Sequence, residues 1–114
     1  MIKRLHSNKT LSKIVSTSTT VYLAGQVADD RSVGVTEQTQ QILAKVDDLL
    51  AEAGTDKTKL LSVIIWLADI NEKDAMNKAW FDWIEPEHTP ARACVESRLA
   101  HPDIRVEMKI EAAL

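Results

Sequence analysis

One stretch limits the possible folds more than any other. Leu60 to Ala68 is apolar on both faces of an extended chain: Ile64 and Trp66 fall on one, and Val63, Ile65 and Leu67 on the other. A strand with that pattern must be covered on both sides. It cannot be a membrane span, which takes roughly 20 apolar residues in a helix. The surrounding chain has 45% hydrophobic and 27% charged residues, the balance of a soluble globular domain. At 114 residues there is room for one core, so residues 1–114 form a single domain. Size scaling gives that domain roughly 6,200 Å² of native surface against roughly 18,400 Å² unfolded, enough burial to fold without staples.

Elements that can cover this strand lie on either side of it. From Val35 to Ala53, the residues Ile42, Leu43, Val46, Leu49, Leu50 and Ala53 share one face at 3.6 residues per turn, and Gly54 follows as the C′ residue. Ala75, Met76, Ala79, Trp80, Trp83 and Ile84 form the stripe of a second helix, with Asn71 as its N-cap and Pro86 as its stop. Short strands are expected at Ile2 to His6, at Ala91 to Ser97, and on either side of a turn at Ser16 to Thr20. The last strand alternates: Ile104, Val106, Met108, Ile110 and Ala112 point one way, and Arg105, Glu107, Lys109 and Glu111 the other. The result is an α+β layer, a six-stranded mixed sheet with two helices on one face. Its second face stays apolar along Leu60 to Ala68, so copies of the chain are expected to pack sheet to sheet in a closed ring.

The net charge is −3 and the pI about 5.6, without the basic excess of a nucleic-acid-binding domain. A single cysteine forms no internal disulfide, and Met1 to Arg4 lead into polar residues rather than an apolar export segment, so a reduced, cytoplasmic setting is expected. His6, His88 and His101 have no metal-ligand spacing.

The candidate chemistry lies in polar residues at unusual addresses. Arg92 sits in a small, apolar strand, where a guanidinium needs an anionic partner: an internal ion pair, or a ligand carboxylate gripped by two parallel hydrogen bonds. Cys94 shares its strand face and reads as a small buried hydrophobe. Glu107, among alternating charges, is either part of a solvated edge strand or a general acid/base facing a cleft. Trp80 and Trp83, beside Met76 and Ala79, read as core.

Several motifs carry a resemblance: Val21 to Val27, Gln38-Thr39, Leu67 to Asn71, Met76-Asn77-Lys78-Ala79-Trp80, Thr89-Pro90-Ala91-Arg92-Ala93-Cys94-Val95-Glu96, and Val106-Glu107-Met108. With these the whole chain resembles the Rid family of reactive-intermediate (imine/enamine) deaminases, formerly labelled endoribonuclease L-PSP or translation inhibitor. Within the family it is similar to the short, 114-residue branch. The resemblance implies a chorismate-mutase-like fold and a homotrimer, with the sheets forming a central barrel, three clefts between neighbouring subunits, and no metal or organic cofactor. It implies that Arg92 binds the substrate carboxylate, that the Gly25 backbone N–H lies beside that carboxylate, that Cys94 lines the cleft, and that Glu107 stands near the attacking water. Two positions depart from the pattern. Leu11 takes the place of a cleft tyrosine and Ala24 that of a serine, which changes the polarity of the cleft.

The first functional reading is hydrolysis of 2-imino or 2-enamino acids to 2-keto acids and ammonia. The second is a non-catalytic binder or sensor of small carboxylates that uses the same Arg92. The third, RNA cleavage, has neither a basic surface nor a histidine pair behind it. Neither nucleic acid nor membrane is expected as a partner.

Overall fold

The computed structural model describes residues 1–114. Six strands form one sheet: β1 (Lys3–Ser7), β2 (Ser12–Ser16), β3 (Thr20–Leu23), β4 (Leu60–Leu67), β5 (Ala91–Glu96) and β6 (Val106–Ala113). Their order across the sheet is β1-β2-β3-β6-β4-β5. All neighbours are antiparallel except β4 and β5. That parallel pair needs a crossover, supplied by the helix α2 (Lys73–Trp83). The other helix, α1 (Val35–Ala53), links β3 to β4.

Both helices lie on one face of the sheet. Ile42, Leu43, Val46 and Leu50 of α1 meet Met76 and Trp80 of α2 over Val63, Ile65 and Leu67 of β4 and over Val106, Met108, Ile110 and Ala112 of β6. Burying each such large side chain contributes roughly 1.5–3 kcal/mol. The domain measures 41 × 37 × 20 Å, and the short dimension is one sheet and one helix layer. Its surface, 6604 Å², is above the roughly 6,200 Å² of a rounder domain because no third layer covers the sheet. Leu61, Ile64 and Val95 are exposed on a sheet whose opposite face is closed.

Local details agree with the sequence except at a few points. Gly54 adopts φ 90° and closes α1 with its N–H to Ala51 O, while Thr55 N–H reaches Leu50 O. The β2–β3 hairpin turns without glycine because the Thr17 hydroxyl accepts from the N–H groups of Thr19 and Thr20. Asn71 is not the cap of α2. It lies within a 3-10 turn, Ile70–Glu72, where Asp69 accepts its N–H at 2.9 Å, and α2 begins at Lys73. Asp69 caps that turn, and Glu72 stands at the N-cap of α2 without a side-chain bond. β6 is not an edge strand; it lies between β3 and β4, so its charged row crosses the middle of the open face. Arg105 is outside that row. It precedes β6 and turns to Glu72, with Nε at 2.9 Å and Nη2 at 2.5 Å from one carboxylate oxygen.

The start of β6 is fixed by a fully buried side chain, Gln38. Its Nε2 donates to the carbonyls of Val33 and Asp103, both at 3.0 Å, and its Oε1 accepts from Arg105 N–H at 3.0 Å. Three chain segments meet there. Gln38→Ala leaves these partly buried backbone groups without their partner, at about 1 kcal/mol or more each. The expected loss is at least about 3 kcal/mol, read as a lower urea midpoint at fixed protein concentration and an unchanged slope.

Candidate active site

The candidate residues fall into two groups on opposite faces of the sheet. On the open face, Glu107 pairs across the strands with Trp66. Gln26 and Met108 exchange both backbone hydrogen bonds, at 2.8 and 3.1 Å, and draw the chain after β3 against β6. That bridge sets Gly25 over Glu107 so closely that a Cβ there would collide with Oε2 and lie 3.2 Å from Cδ. The φ of Gly25 is not in the left-handed region, so glycine is required here for space alone. Leu11 belongs to the same end of the sheet. It immediately precedes β2, whose register with β3 brings Ala24 N–H to Lys13 O. Its N–H is held by Asn8 Oδ1 at 2.9 Å and its side chain is 44% exposed.

The loop from Gly25 to α1 is tied down independently. Lys45 Nζ donates to Val27 O at 2.8 Å and to Asp29 at 2.9 Å. That hydrogen bond, together with the lysine charge, holds the Asp29 carboxyl below the usual carboxylate range. Hydrogen bonds from the Ser32 side chain and backbone do the same for Asp30.

The second group lies under the helices. Arg92 and Cys94 of β5 stand beside Val63 and Ile65, on the helix-covered face. The ion pair expected for Arg92 is absent. Nη1 donates to Asn77 Oδ1 at 2.8 Å, and the guanidinium carbon lies 5.1 Å from the ring centre of Trp80. Both partners are neutral. Cys94 is half-buried and unbridged. Along the strand direction Arg92 lies three positions, about 10 Å, from the level of Glu107. One chain therefore brings Gly25 against Glu107, with Leu11 before β2 at the same end of the sheet, and sets Arg92 beside Cys94 on β5, but does not join the two groups.

Sequence reasoning missed the parts played by Gln26 and Asn77 and the contact of Trp80 with the guanidinium. The spacing of Asn77 and Trp80, i and i+3 on one helix, was the available signal. The largest recess of the chain, about 770 Å³, lies elsewhere, lined by Ala68, Ser97, Arg98, His101 and Arg105 among others. It contains neither Arg92 nor Glu107, and its half-buried arginine is already paired with Glu72.

The family described as endoribonuclease L-PSP matches residues 1–114. The chain belongs to the Rid family. It is 39% identical to a RutC family protein of Haemophilus ducreyi, over 100% of this chain and 97% of that protein. It is 29% identical to the human 2-iminobutanoate/2-iminopropanoate deaminase, over 89% of this chain and 77% of the human one. A crystal structure of a YjgF family member from Neisseria meningitidis superposes with a TM-score of 0.96 at 39% identity, covering 99% of this chain and 94% of that one. The family thus includes a named imine deaminase among relatives named only by family, and this Rid chain has the same α+β fold. No helix in it is long and apolar enough to cross a membrane.

The contact between Gly25 and Glu107 predicts a separable effect. In Gly25→Ala the methyl group meets the free end of a side chain, so Glu107 swings aside and the fold stays. Stability should change by less than about 1 kcal/mol, while a crystal structure of the variant shows Glu107 in a new rotamer. An unmoved carboxylate would show that glycine is not needed for space.

Proposed function

We propose that this Rid protein hydrolyses 2-imino and 2-enamino acids to 2-keto acids and ammonia, in clefts between the subunits of a homotrimer. The observation that supports this most directly is Arg92: a half-buried guanidinium whose two partners are both uncharged. An uncompensated buried cation is costly, and an entering carboxylate offsets that cost with a two-point, charge-assisted contact. The second support is the separation of the two groups. β5 is an edge strand, which leaves the side of the sheet next to Arg92 and Cys94 open to a neighbouring subunit that would bring its own Glu107, Gly25 and Leu11. The apolar residues Leu61, Ile64 and Val95 on that face favour coverage by a second copy.

The chemistry follows from these groups. Arg92 anchors the carboxylate and fixes the neighbouring imine carbon, which is electrophilic and more so when its nitrogen is protonated. Glu107 takes a proton from water as the oxygen adds to that carbon and the C=N pair moves onto nitrogen. Glu107 then returns the proton to nitrogen. As the C–N bond breaks, the new hydroxyl gives its remaining proton to Glu107, the carbonyl forms, and ammonia leaves, taking that proton with it as ammonium. Leu11 and Ala24 stand where the family pattern has hydroxyl-bearing residues, which makes the cleft less polar and favours substrates with apolar side chains. Cys94, unbridged, suits a reducing cytoplasmic setting.

In the test, freshly generated imino acids are supplied and 2-keto acid is followed against the spontaneous rate. Glu107→Gln should slow turnover about 10²–10⁴-fold while binding of an unreactive keto acid persists. Arg92→Lys keeps the charge but not the fork, and should weaken that binding. Wild type that binds keto acids yet never exceeds the spontaneous rate would instead establish the sensor reading.

Assembly is checked separately by light scattering, with an expected mass of about three times 12.7 kDa. A stable monomer would remove the two-chain cleft.

A further inference from the structure

Building on the carboxylate clamp above, we infer that Asn77 and Trp80 form an uncharged cradle that aims Arg92 without neutralising it. Asn77 is then a positioning residue, and the neutrality of its amide keeps the guanidinium available to an anionic ligand.

The two side chains are one helical turn apart on α2 and face β5 together. Asn77 Oδ1 accepts one of the five guanidinium N–H groups at 2.8 Å. Trp80 presents its ring to the guanidinium at 5.1 Å. That ring is a fixed wall. It is 4% exposed and lies 5.6 Å from the Trp83 ring, whose Nε1 donates to Asp47 at 3.0 Å. The guanidinium is therefore held by one edge and one side, and its remaining donors are free of internal acceptors.

The same chain shows how a structural arginine is treated. Arg105, also half-buried, receives the Glu72 carboxylate on two of its nitrogens. Aspartate at position 77 would differ from asparagine by one atom and would make the stronger, charge-assisted bond to Arg92. It would also supply internally the anion that the clamp needs from outside. The amide gives up that bond strength and leaves the charge unspent.

The test is calorimetric binding of 2-oxobutanoate by the assembled protein in wild type, Arg92→Ala, Asn77→Ala and Asn77→Asp, with an unfolding midpoint for each. The cradle predicts that Asn77→Asp binds at least about 10-fold more weakly than wild type. Its midpoint should be no lower than that of wild type. Asn77→Ala keeps the charge free and should lose only about 5-fold. A merely structural role predicts the reverse ranking, with alanine the more damaging and aspartate tolerated. If Arg92→Ala loses binding while Asn77→Asp binds within about 3-fold of wild type, or if alanine weakens binding more than aspartate, the cradle is overturned and the clamp stands. If Arg92→Ala binds as tightly as wild type, the clamp is wrong and the cradle falls with it.

Discussion

The backbone ladder that seats β6 between β3 and β4 sets most of the geometry described above. Through it the C-terminal strand joins the hairpin half of the sheet to the β4–β5 half. Strict alternation in β6 then gives the sheet its two characters: Val106, Met108, Ile110 and Ala112 close the core, while Glu107, Lys109 and Glu111 cross the open face. A slip of one residue would exchange the rows and bury three charges, so the apolar row fixes the register and the register places Glu107.

A buried side-chain amide and a backbone bridge hold this arrangement where the named strands do not reach. Gln38 ties the loop before α1 to the approach to β6, and Gln26 sits where the chain after β3 adds a bridge to Met108. Both side chains are almost fully buried; the Gln38 amide uses its nitrogen and its oxygen, and Gln26 Nε2 donates to Ala24 O at 3.0 Å. Such groups accept only one arrangement of the segments around them, because a shifted segment leaves a backbone partner unpaired. The close approach of Gly25 to Glu107 follows from the Gln26–Met108 backbone bridge.

Charge is handled differently on the two sides of the sheet. Near its end, Arg105 and Glu72 neutralise each other. On β5, a guanidinium in comparable surroundings meets an amide and an indole. On the open face Glu107 has no cationic partner within ion-pair distance. The Arg92 guanidinium and the Glu107 carboxylate thus stand on opposite faces of one sheet, each without an ionic partner in its own chain.

Local periodicity made much of the fold legible. Helix α1 runs between the residues its apolar stripe and Gly54 mark, and β4 and β6 follow their alternation, because amphipathic patterns and caps depend on residues a few positions apart. The family motifs marked Arg92, Cys94, Gly25 and Glu107, and Leu11 as a departure, without showing that they fall on two faces of the sheet. Long-range pairing decided the rest. It made β6 central rather than an edge, sent Arg105 to Glu72, and gave Arg92 the neutral Asn77 and Trp80 instead of a carboxylate. The sequence determined which faces are apolar and which residues carry charge. Only the tertiary structure decided which charges find partners, because a partner lying across a sheet or on a packed helix leaves no periodic trace in the chain.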